Sequence, residues 1–305
     1  MQTTFRLAAL TALVAASLIS TAVSAAPVST LFVNGQNRFS DSSAEVAFRP
    51  TATGFTQITG PLQVGDLFFS VADYDGAFSP IGKSPTSAGT NELTALALVQ
   101  IQSFVPISSA ACSFSAVLSA GCSTFNMGAV GASTFNSFLT SFGIAPSNPG
   151  GLAITNNTIA IFLEDPARNF TREGTIAAGF QTGGDGTLRL VADLIRANGD
   201  GFVANAPTST NDFSAPANKG KPLGNFNFDG TITGQFFPGF VFGPNITGDG
   251  TLSSPPTSSG TQFPIFDQSS VNVDIRVIPE PATLALLGLG LIGIAASQRK
   301  KHGAK

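Results

Sequence analysis

Short runs in which apolar and polar residues alternate are the main structural signal in this chain. The runs at 66–73, 158–163 and 187–194 have the period of two that is typical of β-strands with one buried face. The run at 271–277 alternates most cleanly and is predicted to be the last strand of the body. A longer run at 93–102 fits either a strand or a helix. The pattern predicts a mainly β body, built as an antiparallel β-sandwich or a curved meander.

Turn signals separate many of these runs. Asp-Gly pairs occur at 75–76, 185–186, 200–201, 229–230 and 249–250. Because Gly after Asp readily adopts a positive φ, we expect type I′ hairpin turns there. The similar stretches 184–188 and 248–252 are interpreted as the same turn chemistry. One helix is predicted between residues 129 and 142, and loops are predicted at 204–223 and 253–263.

The N-terminal end is typical of a secretory signal peptide. Arg6 precedes an apolar run at 7–19, and small residues follow up to Ala25 and Ala26. Signal peptidase recognises this order of basic, apolar and small residues. We therefore expect residues 1–25 to direct export through the Sec machinery, with cleavage by signal peptidase after Ala25 or Ala26. An uncleaved anchor is the alternative.

A second apolar segment near the C-terminus has the composition of a short transmembrane helix. The uncharged run 282–297 would be roughly 24 Å long as a helix, against about 30 Å for the hydrocarbon core of a bilayer. Arg299, Lys300 and Lys301 follow, and their side chains can extend to the headgroups. Since basic flanks remain cytoplasmic, we expect the body at 26–276 to lie outside the cytoplasm.

Pro279, Glu280 and Pro281 stand directly before this predicted span. Each Pro fixes φ at about −65° and favours extended geometry in its predecessor, so the segment cannot continue a helix. An extended segment can enter the cleft of a processing enzyme, whereas the alternative interpretation is a plain linker to an anchor. Together with the apolar run 282–297 and the basic tail, these residues resemble the PEP-CTERM sorting signal, here at 277–305.

That resemblance implies a processing partner and a destination. The partner is exosortase, a membrane-embedded cysteine transpeptidase, which would cleave near the proline pair. The precursor would be anchored transiently in the inner membrane and then pass to the cell surface or the medium. Such signals occur in exopolysaccharide-producing bacteria, so the resemblance also implies association with exopolysaccharide or biofilm matrix.

Charge and cysteine content narrow the classes of function. The chain has 15 basic and 18 acidic side chains and a formal net charge of −3. A nucleic-acid-binding module needs a basic surface for the phosphates, so we expect no nucleic-acid partner. Cys112 and Cys122 are the two cysteines. In an oxidising exported compartment we expect them to form a disulfide bond.

Few residues of the body could carry catalysis or bind a metal. The single histidine, His302, follows the basic tail. The body therefore has no histidine for a Ser-His-Asp or Cys-His catalytic site or for a His-ligated metal site. Asp73 and Asp75 are weak Ca²⁺ candidates, because a calcium site takes about six to eight oxygen ligands. Glu164 and Asp165 are adjacent, so on a strand they point to opposite faces and cannot act as a pair. We expect no cofactor and no bound metal.

The sequence therefore predicts a non-enzymatic matrix protein displayed at the cell surface. The alternatives are a carbohydrate-binding module or a surface glycoside hydrolase carried by the same sorting signal. Sugar faces usually stack on Trp or Tyr, and the chain has no Trp and a single Tyr, Tyr74. Its 27 Phe residues lack a polar group and are expected to fill the core.

Overall fold

The computed structural model describes the central part of the chain. It covers residues 35–78, 92–108, 118–167, 169–172, 174–237, 239–240 and 245–275. The predicted signal peptide at 1–25 and the predicted sorting signal at 277–305 lie outside these residues. Within the described part of the chain, no helix is long and apolar enough to cross a membrane.

Strands dominate the described residues. They are β1 (Gly35–Thr51), β2 (Gly54–Gln57), β3 (Leu67–Phe78), β4 (Glu92–Ile107), β5 (Cys122–Ala129), β6 (Thr158–Asp165), β7 (Thr187–Asp193), β8 (Gly201–Pro207), β9 (Pro222–Phe237), β10 (Gly239–Phe240), β11 (Asn245–Ser253) and β12 (Ile265–Ile275). The helices are α1 (Ala132–Ser141), α2 (Ile176–Gly183) and α3 (Thr210–Ser214), with 3₁₀ turns at Arg196–Asn198 and Pro216–Asn218.

The two longer helices begin at identifiable caps. Helix α1 follows Gly131, whose φ is 85°, and the side-chain oxygen of Asn156 accepts a hydrogen bond of 3.1 Å from the Ala132 N–H. At the start of α2, the Thr175 hydroxyl accepts a hydrogen bond of 3.2 Å from the Ala178 N–H. Each cap pairs a backbone donor that the helix itself leaves free.

The strands form one sheet that closes on itself. Strands β11, β12, β1, β3, β4, β5, β8 and β9 are successive neighbours, and β9 pairs again with β11. All the pairings in this ring of eight strands are antiparallel. Closure protects strand edges that would otherwise pair with another chain. The result is a barrel-like sheet with an inner and an outer face.

Between β4 and β9 the ring divides into two strand pairs. Residues 92–97 of β4 pair with β6, whereas residues 99–107 pair with β5. Strand β9 divides in the same way, since residues 225–229 pair with β8 and residues 231–234 pair with β7. The β5–β8 pair therefore closes one end of the barrel-like sheet, and the β6–β7 pair closes the other.

The alternation of side chains along each strand separates the apolar residues into two cores. One core fills the ring and includes Phe39, Ile101 and Phe125. The other lies on the outer face of β1, β3 and β4, beneath α1 and α2. There the Phe138 ring of α1 and the Phe180 ring of α2 lie 4.7 Å and 4.5 Å from the Phe69 ring, centroid to centroid. The helices thus cover one side of the closed sheet.

The Asp-Gly pairs do not form the predicted type I′ turns. Among the described residues, positive φ occurs at other glycines, and not at Gly186, Gly201, Gly230 and Gly250. Gly248 and Gly250 lie within β11, in register with Phe228 and Phe226 of β9. A Cβ at these two glycines would stand 2.2 Å and 2.6 Å from the facing rings. Glycine is needed there because an aromatic side chain occupies the space, so the hairpin interpretation of 184–188 and 248–252 is wrong.

The mainly β, antiparallel prediction is confirmed, but the strands close into a ring rather than forming a sandwich. The predicted strand runs fall within or largely overlap β3, β6, β7 and β12, and the ambiguous run at 93–102 belongs to strand β4. The predicted helix at 129–142 contains α1. The loop predicted at 204–223 is wrong in part, because it contains α3 and the ends of β8 and β9.

Candidate functional site

Two neighbouring strands, β1 and β12, place acidic side chains on the inner face of the ring. Strand β1 lies between β3 and β12, and its residues Asp41, Ser43 and Glu45 alternate onto the inner face. Across β1 and β12, Asp41 is in register with Ser269, and Ser43 is in register with Asp267. Asp41, Glu45 and Asp267 thus form one cluster, called here the inner acid patch.

The patch is buried and its members are hydrogen-bonded. Asp41 accepts hydrogen bonds from the Ser269 N–H, at 2.7 Å, and from the Ser269 hydroxyl. Asp267 is only 3 % exposed, and its carboxyl group is hydrogen-bonded to the Ser43 hydroxyl and to the Glu45 carboxyl group. A carboxyl group can donate to another only when it is protonated, so the patch pairs its own polar atoms by holding protons.

Burial keeps these carboxyl groups protonated to unusually high pH. It raises the pKa of Asp41 from 3.8 to about 6. Burial, together with the charge of Asp41, raises the pKa of Glu45 from 4.5 to about 7. The pKa of Asp267 lies well above 3.8, first through burial and then through the charges of Asp41 and Glu45. The pKa of the nearby Tyr74 phenol is raised well above 10 for the same reasons, so it remains neutral.

A cavity of about 100 Å³ adjoins the patch inside the ring. Its other walls are apolar and include Phe202 of β8 with Phe226 and Phe228 of β9. The Phe202 ring lies 5.9 Å from the Phe226 ring and 5.5 Å from the Phe228 ring, centroid to centroid. The cavity therefore combines an acidic wall with an aromatic wall.

A second concavity lies on the outside, beside β11 and β12. It has a volume of about 230 Å³ and more polar walls, which include Arg172, Ser253, Gln268 and also Asp267. The Arg172 guanidinium carbon lies 4.7 Å from the centre of the Phe266 ring, within cation–π distance. We refer to this concavity as the Arg172 cleft.

Comparison with known families identifies the C-terminal segment. Residues 277–300 match the family model described as the PEP-CTERM protein-sorting motif. The chain carries a PEP-CTERM sorting motif. The motif implies export, a membrane-anchored sorting signal and exosortase as the processing partner. No curated protein and no solved structure gives a significant match to the chain.

The residues predicted to sort the protein lie outside the described residues. They are Ala25 and Ala26 at the signal cleavage site, Pro279, Glu280 and Pro281 of the PEP-CTERM motif, and Arg299, Lys300 and Lys301 of the basic tail. Cys112 also lies outside them. Cys122 is buried at the start of β5, with its sulfur 3.1 Å from the carbonyl oxygen of Ala206. The Cys112–Cys122 disulfide bond stays a prediction.

Of the two weak calcium candidates, the structure describes the side chain of Asp73, and the calcium site stays a prediction. Asp73 lies on β3 in register with Ser42 of β1 and Thr94 of β4. Asp75 follows on the same strand, and its side chain is outside the described part. Within the described ranges, no group of three or more His, Cys, Asp or Glu side chains is arranged to hold a metal ion.

Two other buried acids hold the fold together. Glu164 on β6 pairs with Arg189 on β7 at 2.8 Å. Glu92 accepts hydrogen bonds from the backbone N–H groups of Asn169 and Phe170, at 3.3 Å and 3.2 Å. Burial raises the pKa of Glu92 to about 7. These contacts fix strands and a loop, so neither acid belongs to the cavity.

The inner acid patch was not predicted from the sequence. A local signal existed, because Asp41, Ser43 and Glu45 alternate with Ser42, Ala44 and Val46, the last two of which are buried in the outer core. This alternation does not by itself indicate a buried acidic cluster. The polar positions of a strand are normally taken to face solvent, whereas here they face the interior of the ring. That Asp267 joins them depends on the β1–β12 register, which no local pattern specifies.

Proposed function

We propose that this chain is an exported surface protein whose barrel-like domain is released to the extracellular matrix by exosortase. The PEP-CTERM motif at 277–300 carries the proposal. Association with exopolysaccharide or biofilm matrix is the role that this kind of sorting signal favours. In this proposal the domain acts as a structural component and catalyses no reaction.

The chain topology supports cleavage at the motif. Strand β12 ends at Ile275, so the motif begins almost directly after the folded domain. In addition, Gly35 is in register with Ile275, which places the first and last described residues at the same end of the sheet. The two ends of the described domain therefore lie on one side, as we would expect if the predicted signal peptide and the sorting motif both direct the chain to the membrane. The stiff Pro279–Glu280–Pro281 segment would stand between that side and the bilayer, within reach of a membrane enzyme.

Alanine replacement of Pro279, Glu280 and Pro281 tests the proposal. We expect the triple variant to accumulate in the membrane fraction with its basic tail intact, whereas the wild-type protein reaches the surface. A double alanine variant at Pro255 and Pro256, in the loop between β11 and β12, is the matched control and should be sorted normally. Normal surface delivery of the triple variant would contradict processing at the motif.

The size of the inner cavity supports a non-catalytic role. Pockets for substrates and drug-sized ligands usually measure about 300–1,000 Å³, whereas the cavity beside Glu45 and Asp267 measures about 100 Å³. A cavity of this volume is too small to hold a sugar unit of a polysaccharide beside these carboxyl groups. We expect the protein to release no reducing sugar from the exopolysaccharide of its host. Release that is abolished by Glu45→Gln would instead identify a glycoside hydrolase.

Carbohydrate binding is a second candidate function, which the Arg172 cleft favours. Its hydroxyl, amide and guanidinium groups suit the hydroxyl and carboxylate groups of an acidic polysaccharide. Arg172→Gln should then reduce co-sedimentation with the polysaccharide, and the effect should weaken at high salt. The control is Arg38→Gln, which changes an exposed arginine on β1. Equal co-sedimentation of the two variants and the wild type would exclude the cleft as the binding surface.

A further inference from the structure

A phenylalanine-rich hairpin lies at the end of the ring from which the sorting motif follows. Strand β9 continues to Phe237, which is in register with Gly239 of β10. We call the end of β9 from Gln235, together with β10, the Phe hairpin. Four phenylalanines lie in the stretch 236–242, and no residue from 230 to 248 is charged. The sequence of the hairpin is therefore apolar where a surface strand normally carries charges.

The Phe hairpin and the sorting motif extend in the same direction from one row of the ring. Gly230 of β9, Ile246 of β11 and Val273 of β12 share that row, and β9 and β12 are both antiparallel to β11. From Gly230, β9 extends seven residues further to Phe237, which is roughly 23 Å of extended strand. The motif begins at residue 277, four residues beyond Val273. The hairpin thus stands on the side of the domain where the motif begins.

The rest of the sheet gives the Phe hairpin little support. In the described part of the chain, β9 pairs with β11 as far as Thr231 and with β7 as far as Gly234. Beyond Gly234 its described pairing is with the two residues of β10. A two-stranded hairpin alone is at best marginally stable in water, and removing phenylalanine rings from water is favourable. We therefore expect another surface to cover the hairpin.

The sorting motif indicates what that surface is. The motif implies a membrane-anchored sorting signal, so the precursor is held with this end of the ring toward a bilayer. Apolar segments rich in phenylalanine bury about 5–10 Å into the boundary between lipid headgroups and acyl chains. Because the stretch 230–248 is uncharged, this contact does not require anionic lipid.

We propose that the Phe hairpin inserts into the interface of the phospholipid bilayer while the precursor is anchored. This inference rests on the proposed function, since the sorting motif provides the anchorage. The hairpin would give the domain a second contact with the membrane. Two contacts fix the orientation of the ring, so that the Pro279–Glu280–Pro281 segment is presented at the membrane surface.

Single tryptophans test the proposal, because the chain has no Trp of its own. The full chain carrying Phe240→Trp is reconstituted into phosphatidylcholine vesicles, with and without lipid that is brominated near the headgroup end of its acyl chains. We expect bromine to lower the Trp emission about twofold or more, since an interfacial side chain lies at that depth. Phe237→Trp gives a second position with the same expectation, should Phe240→Trp not fold.

Two further variants serve as controls. Gln100 of β4 shares a row with Phe48 of β1, far from Gly35 at the hairpin end. Val105 lies further in that direction and is 59 % exposed, so Val105→Trp should emit as Trp does in water and should be insensitive to bromine. Leu289→Trp, within the predicted span, should be quenched and shows that the chain is anchored.

The outcomes separate this inference from the proposed function. If Leu289→Trp is quenched but Phe240→Trp emits like Val105→Trp, the hairpin lies in water and the inference is wrong, while the anchorage stands. Blue-shifted emission from Phe240→Trp without quenching would mean that the hairpin packs against protein, in this chain or a second copy, and would also overturn it. An unquenched Leu289→Trp would contradict the anchorage, and with it both the inference and the proposed function.

Discussion

Replacing Glu45 with Gln is expected to weaken the pH dependence of the stability of the domain. In the folded protein burial raises the pKa of Glu45 from 4.5 to about 7. The folded state therefore holds a proton that the unfolded chain releases, and the free energy of unfolding falls as pH rises through this window. At about 1.36 kcal/mol per pKa unit, the titration of Glu45 lowers the free energy of unfolding by about 2–3 kcal/mol between pH 5 and pH 8.

Other acids will leave part of this dependence in place. Asp41, with a pKa of about 6, and Glu92, with a pKa of about 7, lose stability with rising pH in the same direction. Glutamine cannot ionise, so Glu45→Gln removes the contribution of Glu45 and weakens the repulsion that Asp41 and Asp267 experience. The free energy of unfolding of the variant minus that of the wild type should therefore be larger at pH 8 than at pH 5.

The assay is urea unfolding at pH 5, 6, 7 and 8, with thermal unfolding as a second measurement. For a domain of this size about 2–3 kcal/mol corresponds to roughly 4–12 °C in Tm. Asp249→Asn serves as the control, because this exposed acid on β11 should leave the slope unchanged. A wild-type stability that is constant from pH 5 to pH 8, or an unchanged slope in Glu45→Gln, would refute the assignment of these pKa values.

Three substitutions test the packing of the domain by urea unfolding. Phe138→Ala removes a fully buried ring from the outer core and should cost about 3–5 kcal/mol; a cost below about 1 kcal/mol would contradict the packing of α1. Asp212→Ala leaves the Ser119 N–H, bonded to it at 2.7 Å, without its acceptor and should cost about 3 kcal/mol, with faster amide exchange at Ser119. Gly224→Ala puts a Cβ 2.3 Å from the Asn205 carbonyl oxygen and should cost about 1–3 kcal/mol, while Gly60→Ala, which has open space, should be neutral.

Local patterns in the sequence predicted most strands but not their arrangement. The run at 66–73 became β3 because alternation reports a strand directly. The run at 93–102 was ambiguous because β4 is buried on both faces, which removes the alternation that distinguishes a strand from a helix. Closure of the ring depends on β9 pairing with β11, β8 and β7, and such long-range pairing leaves no signal in a single stretch of sequence.

The site was less predictable than the fold for the same physical reason. Asp41 and Asp267 are more than two hundred residues apart in the chain, and only the register of β1 and β12 brings them together. The glycines of β11 were wrongly predicted to form turns because Asp-Gly is a strong turn signal, whereas they make room for Phe226 and Phe228. In contrast, the sorting motif is continuous in sequence, so it was recognised without a structure.

Cleavage by exosortase is tested by the mass of the C-terminal peptide of the protein recovered from the cell surface. We expect this peptide to end near Pro279–Glu280–Pro281 and to lack Arg299, Lys300 and Lys301. Surface protein that still ends at Lys305 would show that the sorting motif is not cleaved.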